Sequence, residues 1–393
     1  MLSKYFKPSL LKTIAEKAGT PVYVYSQAVF LKQIASYKKA FRALDPLFCY
    51  AMKANSSKAL CALAAREGWG ADVVSGGELY RALKAGFEPG KIIFSGVGKT
   101  PAELEDALKA GILFINAESF EEVKELERVA ARLKLRAPLS LRINPDVDPH
   151  THKFITTGKL GSKFGVSFEE AQEIYLYAAE SKHLNPVGAQ FHIGSQVHSA
   201  GPYAIAAVRL AAFILKLASR GVNLKYADVG GGWGVKEGAE MSDPAPLARA
   251  VADVFAGTGL KVILEPGRSV AAPAGALLTR VIYRKRGGHK NFIIVDGHER
   301  PDTARALRGE APGGAGRPRA RPGEGLRYRG PGLRKRGLPG GRRAPARAGQ
   351  RAAPGHLFGG GLRFFHELAV QLAPARRRGA DNRPFLLEAG TPT

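Results

Sequence analysis

Cysteine is almost missing from this chain. Its 393 residues include two, Cys49 and Cys61. That is too few for a disulfide framework or for a metal site of their own, and it fits a reducing cytoplasm. Acidic side chains are also scarce: 34 against 59 basic ones, a net charge of +25. No stretch is continuously apolar over the about 18 residues that a membrane helix needs, so neither a membrane span nor a membrane partner is expected. Met1–Gly19 lacks the unbroken apolar core of a secretory leader, and none is expected.

What is present divides into two kinds of sequence. The stretch 297–393 carries 20 basic and 7 acidic residues, and holds 19 of the 47 glycines and 11 of the 25 prolines. It accounts for +13 of the net charge and leaves +12 for the first 296 residues. Lysine-rich surface or steering of an acidic substrate would both explain that remaining charge.

The first three quarters alternate short apolar runs with amphipathic helical stretches. Candidate strands are Cys49–Met52, Ala71–Val74, Ile92–Ser95, Leu113–Asn116, Ser140–Ile143, Gly188–His192, Tyr226–Val229 and Val262–Leu264. Helical patterns, from Gln27–Phe41 to Pro244–Phe255, separate them, with apolar positions at three- and four-residue spacing. Eight βα units in about 250 residues suit a (β/α)8 TIM barrel; a doubly wound open sheet has the same alternation. Tyr5–Gly19 predicts a short helix ahead of the barrel. Val281–Asp296, with a Gly-Gly turn, predicts a β-hairpin after it.

In such a barrel the chemistry sits just past the strands' C-terminal ends. The first strand ends at Lys53. A desolvated lysine there would have a lowered pKa and a free amine for a carbonyl, although a lysine reaching out to solvent fits the same pattern. The sixth ends at His192, with Ser195 after a glycine; the histidine could be catalytic, as a ring-stacking or acid–base group, or merely structural, and the serine could bind an anion. The seventh ends in Gly230–Gly234, interrupted only by Trp233. Glycines there let backbone N–H groups approach a phosphate, or merely make a tight turn. The eighth ends in Glu265-Pro266-Gly267-Arg268: a carboxylate for a pyridinium N–H, or a Glu–Arg structural pair. Gly96–Thr100 resembles the end of a phosphate loop but lacks the glycine five residues before Gly98, where Ile93 stands. On successive strands, the signals describe one cofactor, with an aldehyde to trap, a phosphate to cradle and a ring nitrogen to pair.

The same stretches resemble those of the diaminopimelate decarboxylases, fold-type III pyridoxal-phosphate enzymes. They are Tyr50–Asn55 (YAMKAN), Arg142–Val166, Phe191–Gln196 (FHIGSQ), Asp228–Gly234 (DVGGGWG) and Glu265–Arg268 (EPGR). The resemblance covers residues 1–296 and implies an alanine racemase-like barrel with a second, β-rich domain. Residues 1–25 and 276–296 would belong to that domain and 26–275 to the barrel. It implies pyridoxal 5'-phosphate (PLP) attached to Lys53, with His192 stacked on its ring and Ser195, Gly231 and Gly232 on its phosphate. The Glu265–Arg268 loop, Gly267 included, would lie beside that phosphate. Glu265 would pair with the ring nitrogen, Arg268 would lie near the substrate's distal carboxylate, and Asp72 and Lys163 would lie near the site. The implied reaction is decarboxylation of meso-2,6-diaminopimelate to L-lysine in a homodimer. The related ornithine, arginine and carboxynorspermidine decarboxylases are the alternatives.

Past Asp296 the resemblance stops. The family continues with an Asp-Ala-Gly-Met-Asn element, a Cys-Glu-Ser-Gly-Asp element whose cysteine reaches the partner's site, and a late Tyr-Asn. None occurs in 297–393. One reading of this Arg/Gly/Pro-rich tail is a disordered basic arm for nucleic acid. The favoured reading is a displaced reading frame. Gly297–Thr303 can be encoded so that a one-base shift reads Gly-Met-Asn-Asp-Leu-Ile. By the same shift Gly330–Pro339 reads Gly-Pro-Val-Cys-Glu-Ser-Gly-Asp-Phe, and Leu362–Pro374 gives a segment containing Pro-Tyr-Asn. Three family elements recur in order and in one common frame, which places the shift between about Val295 and Gly297. The tail would then be disordered, and the encoded chain an impaired or inactive product.

Overall fold

The computed structural model describes residues 5–148, 164–235, 243–287 and 290–297, together with three short strands at 325–329, 362–365 and 385–387. Helix α1 (Pro8–Ala18) and strand β1 (Val22–Ser26) precede the barrel. Then come α2 (Gln27–Ala40), β2 (Leu47–Ala51), α3 (Lys58–Arg66), β3 (Gly70–Val73), α4 (Gly76–Ala85), β4 (Ile92–Phe94), α5 (Pro101–Ala110) and β5 (Phe114–Ala117). They are followed by α6 (Phe120–Leu133), β6 (Ala137–Arg142), α7 (Phe168–Glu180), β7 (Leu184–Gln190), α8 (Gly201–Ala218), β8 (Tyr226–Asp228), α9 (Ala245–Phe255), β9 (Lys261–Leu264) and α10 (Arg268–Ala271).

Strands β2 to β9 pair in order, all parallel, and close on themselves: Leu47 lies opposite Ile263 and Phe48 opposite Leu264. That closure decides for the barrel over the open sheet. Each expected strand overlaps an observed one. Four helices start with the same local device. Ser75, Thr100, Ser119 and Ser167 each accept a hydrogen bond from the backbone N–H three residues on. That third residue is a glutamate each time, and at Thr100 and Glu103 the capping box is complete. These caps fix where the chain turns from a strand's C-terminal end into the next helix, which is where the site must lie.

The lumen changes character along its axis. Cys49, Ile93, Phe114, Val187 and Ile263 form a buried apolar cluster. Because side chains alternate along a strand, the positions two residues on from Phe114, Tyr226 and Ile263 face the same way. They are Asn116, Asp228 and Glu265, all buried and polar.

A second sheet lies outside the barrel, in the order β12-β11-β10-β1-β14 with β13 on β10. Its members are β10 (Gly275–Gly287), β11 (Lys290–Val295), β12 (Gly325–Arg329), β13 (Leu362–Phe365) and β14 (Phe385–Leu387). The expected hairpin forms, with Gly287 opposite Lys290. Its first strand starts earlier than expected, because Gly275–Leu278 pairs antiparallel with β1. Phe6, Leu11, Ile14, Val24, Ala276 and Leu278 pack together beneath that pairing. The tail was expected to be disordered; three short segments of it are strands, and the rest of 298–393 lies outside the described residues.

Helix α8 qualifies the exclusion of a membrane span. Its 18 residues have a mean hydropathy of 1.5, long and apolar enough to cross a bilayer. Here one face, with Tyr203, Leu210, Phe213 and Leu217, is buried in the main core. Ile205, Val208 and Leu215 on the other face are exposed.

Candidate active site

Lys53 sits in a single 3-10 turn, Met52–Ala54, immediately after β2. Its Nζ lies 2.7 Å from Asp72 Oδ2 and 4.0 Å from Glu265 Oε2. The lysine keeps 26% of its side-chain surface while Asp72 keeps none. Burial pulls the Lys53 pKa down, but the carboxylates of Asp72 and Glu265 outweigh it and hold the amine well above the ordinary lysine value. This corrects the expectation of a lowered pKa. Desolvation was the force visible at one strand end; the opposing carboxylates come from β3 and the loop after β9.

Three loops meet around this amine, and glycine is what lets them. A Cβ on Gly231 would stand 2.1 Å from the Glu265 carbonyl oxygen, and one on Gly232, where φ is +98°, 1.9 Å from that of Gly194. The backbone after β8 is therefore pressed against the loops after β7 and β9. Gly267 is seated against Ala51 and Ala54, on either side of Lys53, and Ala51 N–H donates to the Pro266 carbonyl at 3.2 Å. The glycine run is thus required by packing, whatever it also binds.

His192 lies among these loops. Its Nδ1 accepts from Gly231 N–H at 3.3 Å. Burial, then Arg142 and Lys53, push its pKa well below the ordinary value. The ring is neutral near pH 7, and with Nδ1 accepting, its proton stands on Nε2. Glu265 is 2% exposed. Burial and the nearby Asp72 raise its pKa, while Lys53 opposes them. Its Oε1 accepts from Gln190 Nε2, and Asp228, in register with Gln190 on the neighbouring strand, faces the same part of the lumen. Arg268 starts α10; burial lowers its pKa. Among the described residues Arg268 has no ion-pair partner, so it is not half of a structural pair with Glu265.

The structure therefore brings together Lys53, Asp72, His192, Gly231, Gly232, Glu265 and Gly267, with Arg268 next in the chain and Ser195 following Gly194, whose carbonyl faces Gly232. Lys163 lies outside the described residues. Gln190 and Asp228 were missed as side chains of the site, and so was Arg142, which is buried and 3.3 Å from Glu118. The available signal was a polar residue at the last lumen-facing position of a barrel strand. Lys99 of the rejected phosphate-loop pattern is buried 2.7 Å from Glu122 and donates to the Asn116 carbonyl at 2.9 Å. It is structurally satisfied where it stands.

The residues fit a pyridoxal cofactor. Two buried carboxylates, Asp72 and Glu265, flank one ammonium, an excess of negative charge that a protonated ring nitrogen would relieve. Asp72 Oδ1 is buried without a hydrogen-bond partner. A small cavity lined by Tyr37, Tyr203, Trp233 and Leu247 lies behind the glycine run; neither Lys53 nor Asp72 lines it, and it is not the site of this chemistry.

Residues 27–272 match the model of the family described as pyridoxal-dependent decarboxylase, pyridoxal binding domain. The chain is 46% identical over 290 residues to diaminopimelate decarboxylase of Pseudomonas aeruginosa, covering 73% of this chain and 69% of that one. It is 47% identical over 284 residues to the Neisseria meningitidis diaminopimelate decarboxylase, covering 72% and 69%. The crystal structure of the Helicobacter pylori diaminopimelate decarboxylase complexed with L-lysine superposes with a TM-score of 0.70 at 42% identity, over 73% of this chain and 72% of that one.

Proposed function

The chain belongs to the diaminopimelate decarboxylases, within the pyridoxal-dependent decarboxylase family, and from that premise we propose how its residues divide the work. The reaction is decarboxylation of meso-2,6-diaminopimelate to L-lysine and CO2, with PLP as cofactor. The observation that carries the assignment of roles is the Lys53 amine held between Asp72 and Glu265 where the three glycine-seated loops meet.

PLP supplies an electron sink for the charge left when a carboxylate departs as CO2. The chain supplies position and charge. Lys53 holds the cofactor covalently, and Asp72 keeps that side chain oriented. Glu265 pairs with the ring nitrogen, and the neutral His192 ring stacks on the cofactor. Ser195, Gly231 and Gly232 bind the phosphate, with Gly267 in the loop beside them. Arg268, with no acidic partner among the described residues, binds the substrate's distal carboxylate.

The domain division expected from the sequence is proposed on the same footing. The antiparallel pairing of β1 with β10 supports grouping residues 1–25 with 276–296 apart from the barrel at 26–275. The complete enzyme is a cytoplasmic homodimer. Residues 297–393 are read out of frame, so the chain as written turns over slowly for want of the cysteine element.

The test is to supply PLP and meso-2,6-diaminopimelate to the purified chain and to a version with the frame restored, and to measure CO2 and L-lysine. Borohydride reduction with PLP should label the Lys53 peptide in both, and the restored version should be much the faster. Turnover of L-ornithine in place of diaminopimelate would overturn the substrate; label elsewhere would overturn Lys53. Nucleotide resequencing across the codons for Val295–Gly297 tests the frame directly.

A further inference from the structure

Asp228 is fully buried at the end of β8 and takes no part in the roles above. Its two oxygens are used differently. Oδ1 accepts from the Gly230 N–H at 2.9 Å. Oδ2 is buried, and no N–H or O–H donor among the described residues reaches it. Asp228 stands in register with Gln190 of β7 and Ile263 of β9, and Glu265, two residues past Ile263, faces the lumen beside it. Both oxygens of Glu265, by contrast, face a donor or a cation: Oε1 takes Gln190 Nε2, and Oε2 lies 4.0 Å from Lys53 Nζ.

Two buried carboxyl groups side by side disfavour double ionisation, and a proton held between them relieves the repulsion. The hydrogen-bond inventory says where. A carboxylate is an acceptor only, and a protonated carboxyl has one O–H to donate. Glu265 already receives on one oxygen and faces an ammonium with the other, whereas Asp228 Oδ2 has nothing to receive.

We propose that Asp228 is a positioning residue: it carries the shared proton on Oδ2 and donates it to Glu265, holding Glu265 as the anion that faces the cofactor's ring nitrogen. This rests on the reading of Glu265 as the partner of that nitrogen. The proton stays on Asp228 throughout, and no bond to substrate is made or broken by it. The effect is electrostatic. An ionised Glu265 with two fixed donors, Gln190 and Asp228, favours the protonated ring. A Glu265 that held the proton itself would not.

The direction of the pKa shifts agrees. Burial, and then Glu265, raise Asp228 well above the ordinary aspartate value, whereas burial and Asp72, opposed by Lys53, raise Glu265 only to about 7. The other groups facing the pair are Lys53, Asp72 and the buried, protonated Cys49 and Tyr203. Lys53 favours the ionised form of Glu265, from which its ammonium lies 4.0 Å, while pairing with Asp72 at 2.7 Å.

The experiment is infrared spectroscopy of the full chain without cofactor, near neutral pH, read as native minus variant. Asp228→Asn should remove a protonated-carboxyl band, and Glu265→Gln should leave it, displaced in frequency. A band lost in Glu265→Gln and kept in Asp228→Asn would put the proton on Glu265 and overturn the proposal. So would the absence of any band in the native-minus-Asp228→Asn difference. Cofactor binding is the second readout. Asn at 228 still offers an N–H and should bind PLP within about threefold of native, whereas Asp228→Ala, with no donor, should bind on the order of ten- to hundredfold more weakly. Equal weakening in both variants overturns the donor role. If the native chain takes up no PLP, the functional reading falls, and the role given to Asp228 falls with it, whichever way the infrared band goes.

Discussion

The floor of the barrel lumen and its mouth are made by the same eight strands and carry opposite chemistry. On the floor, Cys49, Ile93, Phe114, Val187 and Ile263 pack with no polar partner to satisfy except the Cys49 thiol, which reaches the Lys91 carbonyl. One alternation higher stand Asn116, Asp228 and Glu265, and beside them Asp72, Ser140 and Gln190, all buried. Apart from Asp228 Oδ2, assigned the shared proton above, four of their polar atoms have no hydrogen-bond partner among the described residues: Asp72 Oδ1, Asn116 Oδ1, Ser140 Oγ and Gln190 Oε1. Each such atom costs about 1–3 kcal/mol when left unmet. A layer that served stability alone would not be built this way. The floor holds the barrel shut, and the mouth spends part of that stability on groups kept ready for a ligand.

Breaking the mouth should therefore remove activity, and breaking the floor should remove stability. The largest effect expected is from Lys53→Ala in the frame-restored enzyme: lysine formation falls to background and borohydride no longer attaches the cofactor at that peptide. Persistence of turnover would displace Lys53 from the centre of the site. Next is Glu265→Gln, which keeps the shape and the contact with Gln190 but not the charge. The loss of a preorganised charge at the reacting centre predicts a fall in kcat of roughly 10²–10³, read by steady-state assay with little change in melting temperature. Then comes the floor: Phe114→Ala, in a fully buried position, should lose about 3–5 kcal/mol of stability by denaturant melt, with kcat per folded molecule little changed.

The contrast also explains what the sequence disclosed. The floor and the outer helices follow hydrophobic periodicity, so the eight barrel strands and the helices between them were readable from local pattern. Strand β1 and the first part of β10 were not, because each is short and apolar and their partnership spans some 250 residues. At the mouth, Lys53, the glycine run and Glu265 announced themselves by residue type at strand ends. Gln190 and Asp228 did not, since a single polar residue inside an apolar run gains meaning only when the lumen is known to lie on that side. The sign of the Lys53 shift was hidden for the same reason. Its causes, Asp72 and Glu265, lie 19 and 212 residues further along the chain.

A smaller effect should appear in the pH dependence of stability. Asp228 and Glu265 both have raised pKa values in the fold. As pH rises from about 4, where these groups ionise in the unfolded chain, the folded state keeps a proton that the unfolded state gives up. Stability therefore falls with rising pH by about 1.4 kcal/mol per unit for each such proton, until the folded pair ionises. Asp228→Asn should flatten the curve over that window, measured by chemical denaturation without cofactor. An unchanged slope would mean that the retained proton is elsewhere.

The smallest effect sharpens the comparison most, because it lies at the mouth and should still behave like the floor. Thr100 caps α5 just past β4, accepting from Glu103 N–H at 3.3 Å while Glu103 Oε2 accepts from Thr100 N–H at 2.9 Å. Nothing in that reciprocal pair touches Lys53 or Glu265. Thr100→Ala removes one side-chain acceptor and should lower stability by about 1 kcal/mol, leaving both kcat and KM unchanged. Position at the C-terminal end of a strand would then be insufficient for a role in the chemistry; what counts is pointing into the lumen. A loss of turnover in Thr100→Ala beyond the loss of folded protein would show instead that the caps tune the site, and that the mouth works as one unit.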